Sequence, residues 1–282
     1  MGRLALSLLV VAVATLLGLV ALASNWVRSE ALDTAAWVET SGELLADEPI
    51  RREVAAQIAD QTQVPGGPAA EAAIAQALAL PEVEPLWREA NERTHSLLVA
   101  VVDESPAAGS LGTDGAGEPL LLDLTPIADR LGADLGLPPG ALGDEIALEV
   151  VSANELEALR GAGDLLDAVA IATLVAALIG YGLAFAIAPP GRRRLAALAI
   201  SGSLVAIGAL TLLVRGVGAD SAIEERGASA DTRAAAERAW LIGTERLADL
   251  ATVLVVLGSL GIAAAIVVAL LSRSHERERA NP

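Results

Sequence analysis

The chain has 282 residues, of which 54% are hydrophobic, and this is too apolar for an ordinary soluble domain. Its formal net charge of −17 argues against nucleic acid as a partner. With no cysteine, it has neither a disulfide framework nor thiolate chemistry.

The apolar residues gather in four blocks, Leu4–Ala23, Leu165–Ala188, Leu195–Val214 and Leu247–Leu271. At 1.5 Å per residue, roughly 20 residues cross a hydrocarbon core of about 30 Å, so each block is long enough to span a bilayer. The charge is segregated as well. Between Ser24 and Gly163 there are 25 acidic residues against 7 arginines. Arg3, Arg192, Arg193, Arg194, Arg273, Arg277 and Arg279 lie at the opposite ends of the blocks. By the positive-inside rule these arginines stay in the cytoplasm and the acidic segment is exported.

Taken in order, residues 1–23 form the first transmembrane helix, a signal anchor. Ala21-Leu22-Ala23 resembles a signal-peptidase site, so cleavage there is the alternative. Residues 24–163 form an acidic extracytoplasmic domain. Asp33 or Thr34 caps its first helix, which carries Trp37, Val38, Leu44 and Leu45. Asp47-Glu48-Pro49 breaks and restarts the chain, and Ile50, Val54 and Ile58 then form one apolar stripe. Pro65-Gly66-Gly67-Pro68 is a breaker, and an Ala-rich helix follows from Ala69 to Leu80.

The next helix, roughly Glu82 to Val102, places Trp87, Asn91 and His95 at i, i+4 and i+8, near one face. They form a candidate polar pocket, with Asp123 or Asp33 orienting the imidazole. The competing expectation is a satisfied histidine and asparagine in a helical core. Ser105 to Pro119 reads as a flexible loop. Thr125 as N-cap and Pro126 at the first helical position begin a helix to about Leu135, and Leu137 to Gly143 turns. Glu145 to Val151 alternates as a strand should, giving the domain one small two-stranded sheet. Ser152 to Glu155 is a capping box. Its helix is expected to run through Gly161 and Gly163 into the second span.

That second span is 164–188, with Asp164 and Asp167 at its mouth. Ala172, Ala176, Gly180, Ala184 and Ala188 make a four-residue small ladder along it, a surface for close helix packing. Residues 189–194 are a cytoplasmic turn holding Arg192, Arg193 and Arg194. The third span is 195–215, and 216–244 is an extracytoplasmic helical loop leading directly into the fourth span, 245–271. Gly258, Gly261 and Ala265 offer that span a similar small surface, and Trp26 and Trp240 are placed at the outer interface. Residues 272–282 are a cytoplasmic tail.

The fold class expected is mainly α: a four-helix transmembrane bundle plus a mostly helical extracytoplasmic domain with a small two-stranded sheet. The second histidine, His275, lies at the far end of the chain, which excludes a histidine-rich zinc site and an HExxH enzyme. No Walker A, Rossmann glycine pattern or G-x-S-x-G occurs. No catalytic, cofactor-binding or metal residue is therefore assigned, and no cofactor is expected.

The span order, Leu32-Asp33-Thr34 with Trp37-Val38, Asp47-Glu48-Pro49, Trp87…Asn91…His95, Leu122-Asp123-Leu124 and the arginine turn together resemble an uncharacterised actinobacterial integral membrane protein group. The resemblance implies four spans and an extracytoplasmic domain between spans 1 and 2, and no mechanism. The expectation is a cell-membrane protein with both termini cytoplasmic. Its exported domain would bind a protein partner or envelope component, and its small-residue faces suit a partner or a homo-oligomer in the lipid bilayer. A transporter or channel subunit is the alternative, and an envelope hydrolase the second.

Overall fold

A computed structural model describes residues 2–62, 67–103, 119–134, 146–159, 161–222 and 229–280. The Gly-rich stretch preceding Pro119, the turn Leu137 to Gly143, and Pro65-Gly66 lie outside the described residues. The chain divides into two units. The first comprises 1–26, 167–217 and 244–282, and the second 27–166 and 218–243. The protein is mainly α, with four helices of spanning length and one two-stranded antiparallel sheet.

The first unit is built from α1 (Gly2–Trp26), the long part of α8 (Ala162–Ile187), α9 (Arg193–Ala222) and α11 (Glu245–Ala280). All four are long and apolar enough to cross a bilayer, which gives the chain the build of a multi-pass membrane protein. Their outward residues are large and apolar, as lipid contact requires: Leu16 is 64% and Leu260 61% exposed. Asp249, one turn inside α11, is an exposed carboxylate within the fourth apolar block.

Between the helices the packing is backbone-close. A Cβ on Gly208 of α9 would collide with the Ala251 carbonyl of α11, and one on Gly258 of α11 would stand 2.5 Å from the Ser201 carbonyl of α9. The two glycines thus let each helix settle against the other's main chain. On α1, a Cβ on Gly18 would meet Ile207 at 3.0 Å, and Ala14 is 2.9 Å from where Gly180 would carry one. Ser7 donates to the Ala184 carbonyl at 2.7 Å, and the Tyr181 hydroxyl joins Thr15 of α1 to Ser203 of α9.

Along α8 the buried residues are Gly163, Ala170, Ala177 and Ala184, whereas Ala172 and Ala176 are exposed. Within the chain, the buried face of α8 does not follow the four-residue ladder. A four-residue step advances about 400°, so each rung turns about 40° further round the helix. The interface follows an average step nearer 3.5 residues, and only Gly180, Ala184 and Ala188 of the ladder fall near it. At the hairpin turn, Pro190–Arg192 forms one 3₁₀ turn, and the Arg193 guanidinium lies over the Phe185 ring, 5.8 Å from its centroid. Arg192, Arg193 and Arg194 are all exposed.

The second unit packs α2 (Thr34–Ala46), α3 (Glu48–Thr62), α4 (Pro68–Leu78), α5 (Glu84–Val102), α6 (Thr125–Asp134), α7 (Ala153–Leu159) and α10 (Ala230–Gly243) with the hairpin of β1 (Leu120–Asp123) and β2 (Ala147–Val151). A short π-helical turn, Val27–Ala31, precedes α2. Its core joins Ile58 and Val54 of α3, Ile74 and Leu78 of α4, Trp87 of α5, Leu122 and Leu124, Ile127 of α6 and Ala235 of α10. The stripe Ile50, Val54 and Ile58 is buried as its spacing requires. The Gln61 side chain hydrogen-bonds both the N–H and the C=O of Ala147, and so stands in for a neighbouring strand at that point of β2.

Two expected continuities are broken. The capping-box helix ends at Leu159, and Gly161 at φ 69° turns the chain before α8 begins at Ala162. That left-handed backbone suits glycine, so the capping-box helix and the second span are separate elements. Similarly, α10 ends at Gly243 and α11 begins at Glu245, with a turn at the buried Thr244, which accepts a hydrogen bond from Arg215 Nε at 3.0 Å. The fourth helix, for its part, continues through the expected tail to Ala280.

Candidate functional site

Trp87, Asn91 and His95 do share one face of α5, and all three are buried, at 5%, 6% and 3% exposure. Each has an internal partner. Trp87 Nε1 donates to the Ser41 carbonyl of α2 at 2.8 Å. Asn91 Nδ2 donates back to the Trp87 carbonyl at 3.0 Å. The His95 ring stacks on Trp37 of α2, with centroids 5.3 Å apart and planes 16° from parallel.

The imidazole is oriented by neither carboxylate considered for it. Nε2 lies 3.1 Å from the Ala31 carbonyl, and Nδ1 lies 3.1 Å from the Thr34 hydroxyl. A carbonyl only accepts, so Nε2 carries the proton and Nδ1 accepts from Thr34. Burial pushes the His95 pKa below its ordinary value; the Ala31 carbonyl and the nearby Asp33 carboxylate oppose that shift without overcoming it. His95 thus fastens the turn after α1 and the start of α2 to α5 as a neutral ring.

Asp33 is the N-cap of α2, its Oδ1 accepting from Ala36 N at 3.0 Å. Asp123 is exposed at the end of β1, where its Oδ1 accepts from Thr125 N at 2.9 Å. The Thr125 hydroxyl accepts from Ile146 N at 3.1 Å, tying α6 to the approach of β2. The first turn of α6 is closed instead by the Leu124 carbonyl, which receives Ile127 N and Ala128 N. Asp123 and His95 therefore serve different joints of the unit. The capping box of α7 has its expected form: Glu155 Oε2 accepts from both the hydroxyl and the N–H of Ser152. The Ser152 hydroxyl, then its N–H, lowers the Glu155 pKa.

Two features escaped the sequence reading. The first is the anchorage of α10 on α2 and α3. Arg238 Nε meets Asp47 Oδ2 at 2.7 Å, Thr232 donates to Glu53 at 3.0 Å, and Arg52 lies 3.7 Å from Asp231. The Asp47 side chain is 10% exposed, and among the described residues its buried Oδ1 has no hydrogen-bond partner. Only a contact map could have shown it, because about 190 residues separate the partners. The second is a cleft of about 370 Å³ lined from α2, α3, α4 and α5, with Arg51 and Glu84 in its wall. Gly42 in the middle of α2 was its one local signal, since a helix interior rarely carries glycine without a packing reason. Among the described residues no group of three or more histidine or carboxylate side chains is arranged to hold a metal ion.

No family model, curated protein or solved structure matches the chain.

Proposed function

We propose that this membrane protein displays its second unit outside the cytoplasm, where that unit binds a protein partner or a component of the cell envelope. The observation that carries the reading is the make-up of that unit. Segments 27–166 and 218–243 fold as one body, so they share one side of any bilayer that the four apolar helices cross. The turn between α8 and α9 then falls on the other side, and it carries three consecutive exposed arginines. Arginine-rich short turns are retained in the cytoplasm. The displayed unit is strongly acidic, which disfavours anionic headgroups and nucleic acid as its ligands. The histidine face of α5 is buried, which leaves binding to other surfaces of the unit.

The absence of cysteine makes the test direct. Asp60→Cys and Gly191→Cys each place one thiol at an exposed position, and nothing lies within 4 Å of a Cβ at Gly191. In intact cells a membrane-impermeant maleimide should label the first variant and spare the second until the membrane is opened. Labelling in the opposite sense overturns the orientation. Crosslinking through the thiol of the Asp60→Cys variant in native membranes, followed by purification, then identifies what the unit holds; a unit that is outside and crosslinks to nothing leaves the binding reading without support.

A further inference from the structure

The second unit carries a half-open cleft with both an apolar and a charged lining. Its volume of about 370 Å³ lies within the range of small-molecule sites. Leu45, Leu78 and Pro81 supply an apolar wall, and Leu80 stands half-exposed beside them. Two charged side chains complete the lining, Arg51 from the first turns of α3 and Glu84 from the start of α5.

Arg51 is held in place and left electrically unpaired. Its Nη1 donates to the Leu45 carbonyl at 2.9 Å and to the Ala46 carbonyl, at the negative end of α2. Among the described residues no carboxylate lies within ion-pair distance of it, although the unit is rich in acids. A guanidinium has five N–H groups in a rigid fork, so several remain for a carboxylate. Glu84 has only an exposed i,i+4 contact with Arg88 at 3.5 Å, a weak tie that a better cation displaces.

We propose that this cleft binds a small zwitterion with an apolar body, of dipeptide size. Its carboxylate sits on Arg51, its ammonium on Glu84, and its apolar side chains against Leu45, Leu78 and Pro81. The choice of a zwitterion follows from the field of the unit. A simple anion would be repelled by 25 acidic residues set against 7 arginines, whereas a neutral ligand with separated charges is not. The proposal deepens the reading above, because it names what the unit holds.

Gly42 gives the decisive variant. It lines the cleft, and a Cβ there would meet only Arg88 Nη1, at an ordinary 3.7 Å. Gly42→Leu adds bulk at the cleft wall, with room for its Cβ and a residue that favours the helix. Full-length protein in lipid nanodiscs is titrated by calorimetry with Leu-Leu, with N-acetyl-Leu-Leu and with Leu-Leu amide. Free Leu-Leu should bind saturably, and either blocked form at least ~10-fold more weakly. Gly42→Leu should abolish binding with the unfolding temperature unchanged or raised, and Arg51→Gln should weaken it by ~10-fold or more. No saturation up to ~10 mM, equal binding of the blocked forms, or wild-type binding by Gly42→Leu each overturns the proposal. Orientation plays no part in this titration, so its failure is separate from a failure of the thiol labelling.

Discussion

A single imidazole decides where one of this protein's joints is fastened. His95 is neutral, buried and hydrogen-bonded through both nitrogens, so its protonation opposes the native packing. Its folded pKa lies below the ordinary value near 6.5, and the native state therefore binds fewer protons than the unfolded chain. The contribution is complete above that ordinary value and is lost as pH falls through it toward the lowered folded one. Unfolding temperature measured from about pH 8 to about pH 5 should thus drop more steeply in the wild type than in His95→Gln. Parallel profiles for the two proteins would remove His95 from the acid response. At neutral pH the same variant should be less stable by about 1–3 kcal/mol, since the Ala31 carbonyl and Thr34 hydroxyl lose a shaped partner. Trp87→Phe tests the neighbouring contact. The ring volume is largely kept, but the Ser41 carbonyl loses its 2.8 Å donor, at a cost of about 1–2 kcal/mol read from denaturant unfolding. The i, i+4, i+8 spacing made this face legible in the sequence. What it held was not, because Ala31 and Thr34 lie more than 60 residues away and one of the contacts is to main chain.

Among the elements, the helices themselves were the most readable and the way they meet the least. Asp33 capping α2, the restart at Glu48-Pro49 and the Ser152–Glu155 box are local chemistry, and each is realised where the residues stand. The helix joint at Gly161 was hidden because glycine is tolerated in a helical pattern as well as at its end. The ladder on α8 departs from the face buried within the chain for a geometric reason: equal four-residue steps drift against the 3.6-residue turn. Glycine positions on α9 and α8 give a matched comparison. Gly208→Ala should cost about 1–3 kcal/mol, because its methyl would collide with the Ala251 main-chain oxygen and the helices must part. Gly182→Ala adds a methyl where nothing lies within 4 Å, and should be neutral or stabilising by up to about 1 kcal/mol. Thermal unfolding in nanodiscs separates the two, and equal behaviour would mean that α9 and α11 do not pack main chain to main chain.

At the scale of the whole chain, the second unit ties distant segments together. Its residues 27–166 precede α9, its residues 218–243 begin in the last turns of α9 and run on past it, and Arg238 on Asp47 joins the two stretches. That assembly limits how the helices can insert. If only one of α8 and α9 crossed a bilayer, the two stretches would lie on opposite sides and α10 could not reach α2 and α3. The packing is therefore compatible with both helices crossing and not with one alone, and it is satisfied equally by a chain inserted whole in the opposite sense. The choice of side falls to charge, and the arginine turn is its strongest element. Replacing Arg192, Arg193 and Arg194 together with serine removes that element and leaves the packing. In the Gly191→Cys background the triple variant should show two populations, one shielded from an impermeant maleimide as before and one labelled from outside. In the Asp60→Cys background the same substitutions should shield a matching fraction, because position 60 and position 191 keep to opposite sides in either orientation. Adding Arg238→Ala should lower the unfolding temperature and leave both fractions where they were, since the ion pair it removes forms in either orientation. A triple variant that stays fully shielded at position 191 would show that the arginines at the two chain ends suffice to set the orientation. Labelled fractions at the two positions that rise together would mean that the hairpin does not cross as a pair.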